Sequence, residues 1–497
     1  MTAPASLFRN RVGGAELEAA SGATFESREP ATGALLGSFP RSSAADVDRA
    51  VDAARAAWEE WRLVPAPKRA EVLYRFAALL GERKAELSEL MSREMGKVLM
   101  EAGGDVQEAI DMSLYMAGEG RRLFGQTTPS ELPDKFNMSV RMPVGVVGAI
   151  TPWNFPIAIP AWKLAPALVC GNTVVLKPAE DTPLLAQRFV EIIADAGAPA
   201  GVVNLVHGFG EEAGDRLVRH PDVPVITFTG SRETGVAVTH AAADELKHVH
   251  LELGGKNAII VMDDADLDLA VEGILWSAFG TTGQRCTAAS RVIAHEAVYG
   301  ALQSRLVAAA EKMTLGPGWE RGVDVGPLIN AAALAKVHSY TGIGTGEGAK
   351  LLTGGEPATS GDLGKGFFYR PTIFADVDPG MRIAQEEIFG PTVSLIPVKG
   401  FDEAVRTANG IRYGLSSSIF TRDVNRAFRA MRDLQTGITY VNAGTTGAEV
   451  HLPFGGTKGT GNGHREAGQA ALDVFTEWKS LYVDYSGKLQ RAQIDNN

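Results

Sequence analysis

One of the two cysteines in this 497-residue chain lies where a thiol could act as a nucleophile. Cys286 directly follows Arg285 within Phe279–Thr287, a run of small and flexible residues. A thiol attacks as the thiolate, and an adjacent cation or a helix N-terminus lowers its pKa towards neutrality. The alternative is a core cysteine that packs as a small hydrophobic residue. The polar, glycine-flanked setting favours a functional thiol at Cys286, whereas the apolar run around Cys170 predicts a core position.

Two polar residues beside apolar segments are candidates for a base and for an oxyanion donor. Glu252 ends an apolar strand and precedes two glycines. Burying a carboxylate is costly unless it is paired or its pKa is raised, and a raised pKa suits a general base. A salt-bridged structural glutamate is the alternative. Asn154 lies between two prolines and two aromatic residues at 152–156, so its amide could stabilise an oxyanion or simply close a turn.

Residues at two further strand ends suit a ribose or a phosphate. Lys177 and Glu180 follow an apolar strand, although a solvated loop end is the alternative. Gly230 permits close approach of the backbone, and Ser231 can cap the next helix while it contacts a phosphate. An ordinary N-cap explains Ser231 equally well. The glycine run at 208–214 departs from the dinucleotide fingerprint because its third glycine comes one residue late.

Alternating strands and helices must position these residues. The first block has strands at 145–150, 173–177, 202–206 and 225–229, with helices at 184–196, 211–218 and 233–246. The second has strands at 258–262, 291–295, 392–398 and 438–441, with helices at 267–279, 302–312 and 424–432. Such alternation predicts an α/β fold with parallel sheets covered by helices, and ligands bind at the carboxyl ends of such strands.

The segments outside these blocks differ in character. Residues 1–40 are predicted to be irregular, and residues 43–123 are predicted to be helical, with the first helix capped by Ser42 or Ser43. The alternating residues at the end of 124–144 predict a ribbon, for which Leu481–Tyr485 is a possible partner. Exposed strands of this kind need cover from another chain or sheet, so oligomerisation through them is expected.

Composition excludes several classes of protein. A net charge of −11 argues against a nucleic-acid or anionic-membrane surface. The nine histidines show no paired metal-ligand spacing, so no metal site is expected. No apolar run reaches transmembrane length and Met1–Asn10 has no apolar leader segment, so a cytoplasmic protein is expected.

Four motifs in order resemble the aldehyde dehydrogenase superfamily: Pro152–Pro156, Leu251–Lys256, Gly283–Cys286 and Glu387–Pro391. The resemblance extends from about Phe25 to Tyr485. It implies a Rossmann-like NAD-binding domain (1–124 and 145–254) and an α/β catalytic domain (255–454). It also implies a β-ribbon oligomerisation arm with a C-terminal segment (125–144 and 470–497), and therefore a homodimer or homotetramer.

The resemblance also implies a role for each site residue. Cys286 would attack the aldehyde carbon, Asn154 and the Cys286 backbone N–H would stabilise the oxyanion, and Glu252 would activate the water that hydrolyses the thioester. Lys163 and Glu466 would handle protons. Residues that match the cofactor contacts of the family are Trp153, Lys177, Glu180, Gly230, Ser231, Leu253, Glu387 and Phe389.

A few residues narrow the choice of substrate and of cofactor. Arg285, Glu108, Gly447 and Ala448 resemble the substrate-binding residues of aminoadipate-semialdehyde (antiquitin-type) dehydrogenases. The sequence Arg285-Cys286-Thr287 also resembles 2-oxoglutarate-semialdehyde dehydrogenases, and a broad aldehyde dehydrogenase is a further alternative. NAD is favoured over NADP, which is not excluded, because Glu180 would repel a 2′-phosphate. An acylating enzyme would lack Glu252, and a non-catalytic binding protein would not need this set of residues together.

Overall fold

The computed structural model describes residues 6–495, and the ends of the predicted outer ranges, 1–5 and 496–497, lie outside it. Four strands precede the helical region: β1 Asn10–Val12, β2 Ala15–Leu17, β3 Thr24–Arg28 and β4 Leu35–Pro40. The prediction of an irregular segment at 1–40 is therefore wrong. These strands have three to six residues and lack clear alternation between apolar and polar positions, which is why pattern alone misses them.

The helical region is α1 Ala44–Trp61, α2 Ala66–Glu82, α3 Lys84–Glu94 and α4 Leu99–Glu119. Ser43, rather than Ser42, occupies the N-cap of α1, and its backbone N–H donates to Asp46 Oδ2 at 2.8 Å. This is the reciprocal arrangement of a capping box, which satisfies amide groups that the first helical turn leaves free.

The first α/β block follows two strands of the ribbon. Its elements, with those strands, are β5 Gln126–Pro129, β6 Lys135–Pro143, β7 Val146–Thr151, α5 Ala158–Cys170, β8 Thr173–Pro178, α6 Pro183–Asp195, β9 Val203–Leu205, α7 Asp215–Arg219, β10 Val225–Gly230, α8 Arg232–Ala242 and β11 His248–Leu253. A π-helical turn at 210–214 replaces the start of the helix predicted at 211–218. Gly171 ends α5 with a φ of 97°, a conformation that suits glycine and lets the chain turn directly into β8.

The second block contains β12 Asn257–Val261, α9 Leu267–Phe279, β13 Ala289–His295, α10 Glu296–Ala310, α11 Ala331–Gly346, β14 Lys350–Thr353, β15 Thr372–Ala375, α12 Arg382–Gln385, β16 Thr392–Val398, α13 Phe401–Asn409, β17 Tyr413–Gly414, β18 Ser416–Phe420, α14 Val424–Asp433 and β19 Ile438–Val441. The chain ends with β20 Thr457–Lys458 and β21 Thr476–Asp484. The sequence predicted α9, β16 and β19 with these bounds, but it missed α11, α13, β14 and β15.

Two seven-stranded sheets organise these blocks, which confirms the predicted α/β class. The first has the order β11-β10-β7-β8-β9-β1-β2 and the second β14-β15-β16-β13-β12-β18-β19. Pairing is parallel from β11 to β9 and from β15 to β19, and antiparallel where β1, β2 and β14 join. The predicted domain boundaries stay a prediction.

Helices cover both faces of the first sheet. On one face, residues of α2, α4, α5 and α6 share a core with β7 and β8, in which Phe76 and Phe189 pack edge to face at 5.0 Å. On the other face, α1, α7 and α8 pack against the same strands. A fully buried side chain of this size contributes about 1.5–3 kcal/mol, so these layers hold the carboxyl edge of the sheet in place.

The ribbon forms a three-stranded antiparallel sheet in the order β21-β6-β5, with Leu481 opposite Met138. Trp478, Tyr482 and Val483 of β21 are exposed. Oligomerisation through this sheet stays a prediction. No helix within residues 6–495 combines the length and the hydropathy that crossing a membrane requires.

Candidate active site

The loop that carries Cys286 joins α9 to β13. Thr281 and Thr282 adopt left-handed backbone conformations, with φ of 51° and 57°, and thereby turn the chain sharply after the helix. The carboxylate of Glu101 accepts from the Thr281 backbone N–H at 2.9 Å, so helix α4 fixes the turn from outside. Conformations of this kind cost about 1–3 kcal/mol each and persist only where neighbouring contacts impose them.

Cys286 is the point at which two cavities meet. One cavity of about 240 Å³ is lined by Trp153, Ser231, Glu387 and Phe389 among others. A second cavity of about 360 Å³ is lined by Glu108, Trp276, Glu466 and Gly447 among others. Cys286 and Leu253 line both of them. A thiol in this position can contact a ligand from either side.

The cysteine thiol is held protonated at rest. Burial, followed by the nearby carboxyls of Glu252 and Glu387, raises the pKa of Cys286 to about 12. The adjacent Arg285 does not bring this pKa towards neutrality, because its guanidinium is engaged elsewhere. Arg285 Nη2 donates to Glu101 Oε1 at 3.0 Å and Nε donates to Thr281 Oγ1 at 2.9 Å. Its charge is therefore balanced by the Glu101 carboxylate, which lines the larger cavity with it.

Asn154 lies beside the cysteine loop and is almost fully buried. Its Nδ2 donates to the backbone carbonyl of Gln284 at 3.0 Å, two residues before Cys286. Gln284 is itself fixed, since its Oε1 accepts from the Ile329 backbone N–H at 3.0 Å. An amide carries two N–H groups, so the second remains free to donate to an oxyanion beside the thiol.

Glu252 is buried near the end of β11 and reaches the larger cavity. Neither carboxylate oxygen has a hydrogen-bond partner within residues 6–495. Burial, with a further contribution from the nearby Glu466, raises the pKa of Glu252 well above its usual range. A raised pKa makes a carboxylate a better proton acceptor, which is what a general base needs.

Lys163 and Glu466 form a buried ion pair on the same side of the site. Lys163 Nζ also donates to Thr227 Oγ1 at 2.9 Å. Thr227 in turn lies 3.2 Å from Nδ1 of His250, a residue that the sequence did not single out. His248, His250 and Glu252 alternate along β11, so the two-residue period of a strand places all three on one face. That period is the feature that could have drawn attention to His250.

Lys177 and Glu180 lie at the end of β8, as predicted, and they contact each other. Lys177 Nζ is 3.4 Å from Glu180 Oε2 and donates to the Gly208 carbonyl at 2.9 Å. Burial lowers the pKa of Lys177. The carboxylate of Glu180 is partly exposed, and it is therefore available to hydroxyl groups of a ligand.

The N-terminus of helix α8 opens onto the smaller cavity. Ser231 is its N-cap and accepts from the Thr234 backbone N–H at 3.2 Å, while Gly230 precedes it. Free amide groups at a helix N-terminus favour a bound phosphate. Ser231 thus acts as an N-cap and also lines the cavity, so the two interpretations from the sequence are compatible.

Glu387 lies deep in the smaller cavity and depends on two glycines. Its Oε1 accepts from the Gly255 backbone N–H at 2.9 Å. A Cβ atom on Gly254 would lie 2.0 Å from Glu387 Oε2, so only glycine permits this approach. Phe389, with a φ of 62°, places its ring perpendicular to that of Trp153 with 5.6 Å between centroids. The two rings and the carboxylate form a wall that fits a flat heterocycle attached to a ribose.

The residues predicted for substrate binding converge on the larger cavity. Arg285, Glu108, Gly447 and Ala448 all line it, and Arg285 lies over the Trp276 ring at 4.7 Å from its centroid. Burial, reinforced by Asp105, raises the pKa of Glu108 to about 8. Sequence reasoning missed Glu101, which meets Arg285 from 184 residues away, and Trp276, whose contact with Arg285 depends on the turn between them. No cluster of potential metal ligands occurs within residues 6–495.

Known proteins resemble this chain in sequence and in fold. Residues 17–481 match the sequence profile of the aldehyde dehydrogenase family. The chain is 41% identical over 479 residues to the alpha-ketoglutaric semialdehyde dehydrogenase of Bacillus subtilis (strain 168), with 96% of this chain and 98% of that protein covered. It is 42% identical over 479 residues to the alpha-ketoglutarate semialdehyde dehydrogenase of Haloferax volcanii, with 96% and 99% covered. The fold superimposes on a crystal structure of betaine aldehyde dehydrogenase from Staphylococcus aureus in complex with NAD+ (TM-score 0.95, 34% identity, 97% of this chain and 95% of that chain covered).

Proposed function

The chain belongs to the aldehyde dehydrogenase family, and from this premise we propose that it oxidises 2-oxoglutarate semialdehyde to the dicarboxylic acid with NAD. The observation that carries the proposal is the position of Cys286 between two cavities of different chemistry. One has the helix N-terminus, carboxylate and aromatic wall that suit a dinucleotide. The other has the Arg285–Glu101 pair and Glu108, which suit an aldehyde with a polar distal end.

The residues of the smaller cavity, together with Lys177 and Glu180 at the end of β8, fit a nicotinamide dinucleotide. Ser231 and the first amides of α8 would hold phosphate, and Lys177 with Glu180 would hold the adenosine ribose. Glu387 would bind the second ribose, with Trp153 and Phe389 beside the nicotinamide ring. The chemistry that this cofactor supplies when bound is acceptance of a hydride, which oxidation of a thiohemiacetal to a thioester requires. Glu180 favours NAD, since a carboxylate repels the 2′-phosphate of NADP.

The residues around Cys286 divide the reaction between them. The Cys286 thiol gives its proton to water as its sulfur bonds to the aldehyde carbon, and the carbonyl electron pair moves to oxygen, where Asn154 Nδ2 can donate a hydrogen bond. After oxidation, Glu252 accepts a proton from water as the water oxygen attacks the thioester carbon, and the carbon–sulfur bond then breaks. Lys163 and Glu466 lie close enough to Glu252 to influence that proton transfer. A base at this position supports hydrolysis rather than transfer to coenzyme A.

The polar groups of the larger cavity favour an oxo acid over an amino acid. Because the pKa of Glu108 is about 8, its carboxyl is mostly protonated at pH 7 and can donate to a keto oxygen. An ammonium group would instead need this carboxyl to ionise first. The names of the two semialdehyde dehydrogenase relatives support the same choice. Aminoadipate semialdehyde, which the sequence first suggested, is the second candidate because Arg285 and Glu108 both line the cavity.

A panel of aldehydes tests the proposal. It compares kcat/KM for 2-oxoglutarate semialdehyde, glutarate semialdehyde, aminoadipate semialdehyde and pentanal, first with NAD and then with NADP. We expect the order just given, with NAD preferred. Pentanal equal to the semialdehydes would contradict a carboxylate substrate, and a preference for aminoadipate semialdehyde would replace the first candidate by the second.

A further inference from the structure

The Nε2 atom of His250 and the neighbouring carboxylate of Glu252 are both buried, and neither has a hydrogen bond to any described residue. His250 Nε2 lies 3.7 Å from Glu252 Oε1, and that nitrogen and both Glu252 oxygens are without a hydrogen-bond partner within residues 6–495. A separation of 3.7 Å is longer than a hydrogen bond. Since each group lacks another partner, a small rotation of the Glu252 side chain closes the gap without breaking a contact elsewhere. Hydrogen bonds in catalytic sites commonly tighten when the ligand binds.

The opposite side of the ring fixes which nitrogen carries the proton. Lys163 Nζ can only donate, and it donates to Thr227 Oγ1 at 2.9 Å. Thr227 lies on β10, which pairs with β11, and His250 Nδ1, 3.2 Å away, is the only hydrogen-bond acceptor that the described residues offer to its hydroxyl proton. Nδ1 therefore accepts, and the proton of the neutral ring lies on Nε2, facing Glu252. The donors all point the same way, from the ammonium group to the carboxylate.

The charged and titratable groups around His250 keep the ring neutral. Burial, followed by the positive Lys163 of α5 and by His464 and Arg465 of the segment beside it, holds the pKa of His250 well below its usual range. Glu466 Oε1 lies 3.6 Å from Nδ1, but it is paired with Lys163. A neutral ring is what the chain of donors requires, because a neutral Nε2–H can orient a carboxylate without neutralising it.

From this geometry we infer that His250 is a positioning residue for Glu252. The Nε2–H group of His250 orients the carboxylate to accept a proton from water, and Lys163 and Thr227 set the tautomer of the His250 ring. The inference rests on the proposed function, because it gives His250 a role in the hydrolysis of an acyl-Cys286 intermediate. A donated hydrogen bond stabilises the ionised carboxyl, so His250 lowers the pKa of Glu252 relative to a site without the donor. Hydrolysis rises with pH as Glu252 ionises, and loss of the donor therefore moves that rise to higher pH.

The test measures hydrolysis of the acyl enzyme without cofactor or aldehyde. p-Nitrophenyl acetate acylates a reactive thiol, so the burst of p-nitrophenolate reports formation of acyl-Cys286 and the steady state reports its hydrolysis. Three variants are compared with the wild type from pH 6 to 10: His250→Leu removes the donor, His250→Gln can place an amide N–H near the position of Nε2, and Thr227→Val breaks the chain. His248→Gln is the matched control, since His248 lies two residues earlier on the same face and is half exposed.

We expect His250→Leu to keep the burst, to lose about tenfold or more in steady-state hydrolysis at pH 7, and to regain part of it at high pH. Thr227→Val should shift the profile in the same direction by less, His250→Gln should retain most of the rate, and His248→Gln should match the wild type. A wild-type rate and profile in His250→Leu would overturn the inference. Equal losses in His250→Leu and His250→Gln with an unshifted profile would also overturn it, because they would reveal packing alone.

Misfolding and failure of the proposed function remain distinguishable from these outcomes. A variant that does not fold loses the burst and its cooperative thermal unfolding. If His250→Leu fails in this way, the inference is tested by Thr227→Val, which should shift the pH profile, and by His250→Gln, which should retain most of the rate. If the ester results are as expected while no semialdehyde is oxidised, the proposed substrate is wrong and the role of His250 stands. If semialdehydes are oxidised and the ester profiles do not move, the proposed substrate stands and the role assigned to His250 is wrong.

Discussion

Cys170 and Cys286 are the same chemical group in one chain, and their surroundings differ in an instructive way. Cys170 ends α5 within an apolar core, where burial raises its pKa to about 12 although Arg69 and Arg141 oppose the rise. Burial also raises the pKa of Cys286 to about 12, with carboxyls as neighbours instead of cations. The cysteine with positive neighbours is thus the one in the core, away from both cavities. Access to two cavities, the adjacent amide of Asn154 and the nearby carboxyl of Glu252 distinguish Cys286, whereas a neighbouring positive charge does not.

Exchanging each cysteine for alanine should give the largest difference. Cys286→Ala should lower acid formation by about 10³-fold or more, because it removes the atom that bonds to the substrate. NADH binding, followed by fluorescence titration, should be unchanged. Cys170→Ala should keep full activity and lose only about 1 kcal/mol of unfolding free energy in a denaturant titration. Substantial turnover by Cys286→Ala would show that Cys286 is not the nucleophile, and the contrast between the two cysteines would then have no bearing on catalysis.

Removing the base should separate the two halves of the reaction at Cys286. Glu252→Gln should slow hydrolysis by about 10²–10⁴-fold, since the amide cannot accept a proton from water. Thioester formation does not need that base, so a stoichiometric burst of NADH should precede a slow steady state in stopped-flow absorbance. If neither the burst nor the loss appears, the base is another residue.

Replacing Arg285 asks whether the adjacent cation serves the thiol or the substrate. Its pairing with Glu101 predicts that Arg285→Ala leaves the rate of Cys286 alkylation by iodoacetamide unchanged at each pH. The variant should lose about 2 kcal/mol or more in kcat/KM for a carboxylate-bearing semialdehyde relative to pentanal.

The control for Arg285 is the double variant Glu101→Gln/Arg285→Ala, which avoids leaving a buried carboxylate unpaired. It should show the same selectivity with a smaller loss of thermal stability. Equal losses for both aldehydes would place the selectivity elsewhere, in the loop around Gly447 and Ala448.

The smallest expected effect is the change of KM with pH that Glu108 causes in the larger cavity. Burial raises the pKa of Glu108 to about 8, so its carboxyl is a neutral donor below that pH and a charge that repels a carboxylate substrate above it. The KM for 2-oxoglutarate semialdehyde should therefore be flat from pH 6 to 7 and rise about tenfold between pH 7 and 9. Glu108→Gln should keep a flat KM across this range. A rise that persists in Glu108→Gln would assign the titration to another group.

The sequence predicted the features that depend on local pattern. The strands before Asn154, Lys177 and Ser231 follow from short β-branched runs, and the rule that ligands lie at the carboxyl ends of parallel strands brings these residues to one edge. Helices α11 and α13 were missed because their apolar residues do not follow a clean period or their segments are short. Strands β14 and β15 are too short, at four residues each, to separate from loops.

Long-range contacts set the limits of the site prediction. The presence of Arg285 beside Cys286 suggested an electrostatic role, but Glu101 on α4 accepts its hydrogen bond from 184 residues away. Thr227 and His250 become significant only because strands β10 and β11 pair in a register that sets them opposite each other. Pattern in a single sequence contains neither the partner of a buried charge nor the register of two strands.

The ion pair between Lys163 and Glu466 has a consequence for the order in which the protein is made. The two residues are 303 positions apart, and ribosomes add about 5–20 residues per second, so Lys163 is synthesised about 15–60 s before its partner. In the later part of that interval, once residue 286 has been added, the nascent chain contains Glu252 and Cys286 but still lacks the Glu466 carboxylate that pairs with this lysine. The proposed hydrolytic half of the site is therefore complete only after residue 466 has been added, and a shorter nascent chain lacks one of its residues.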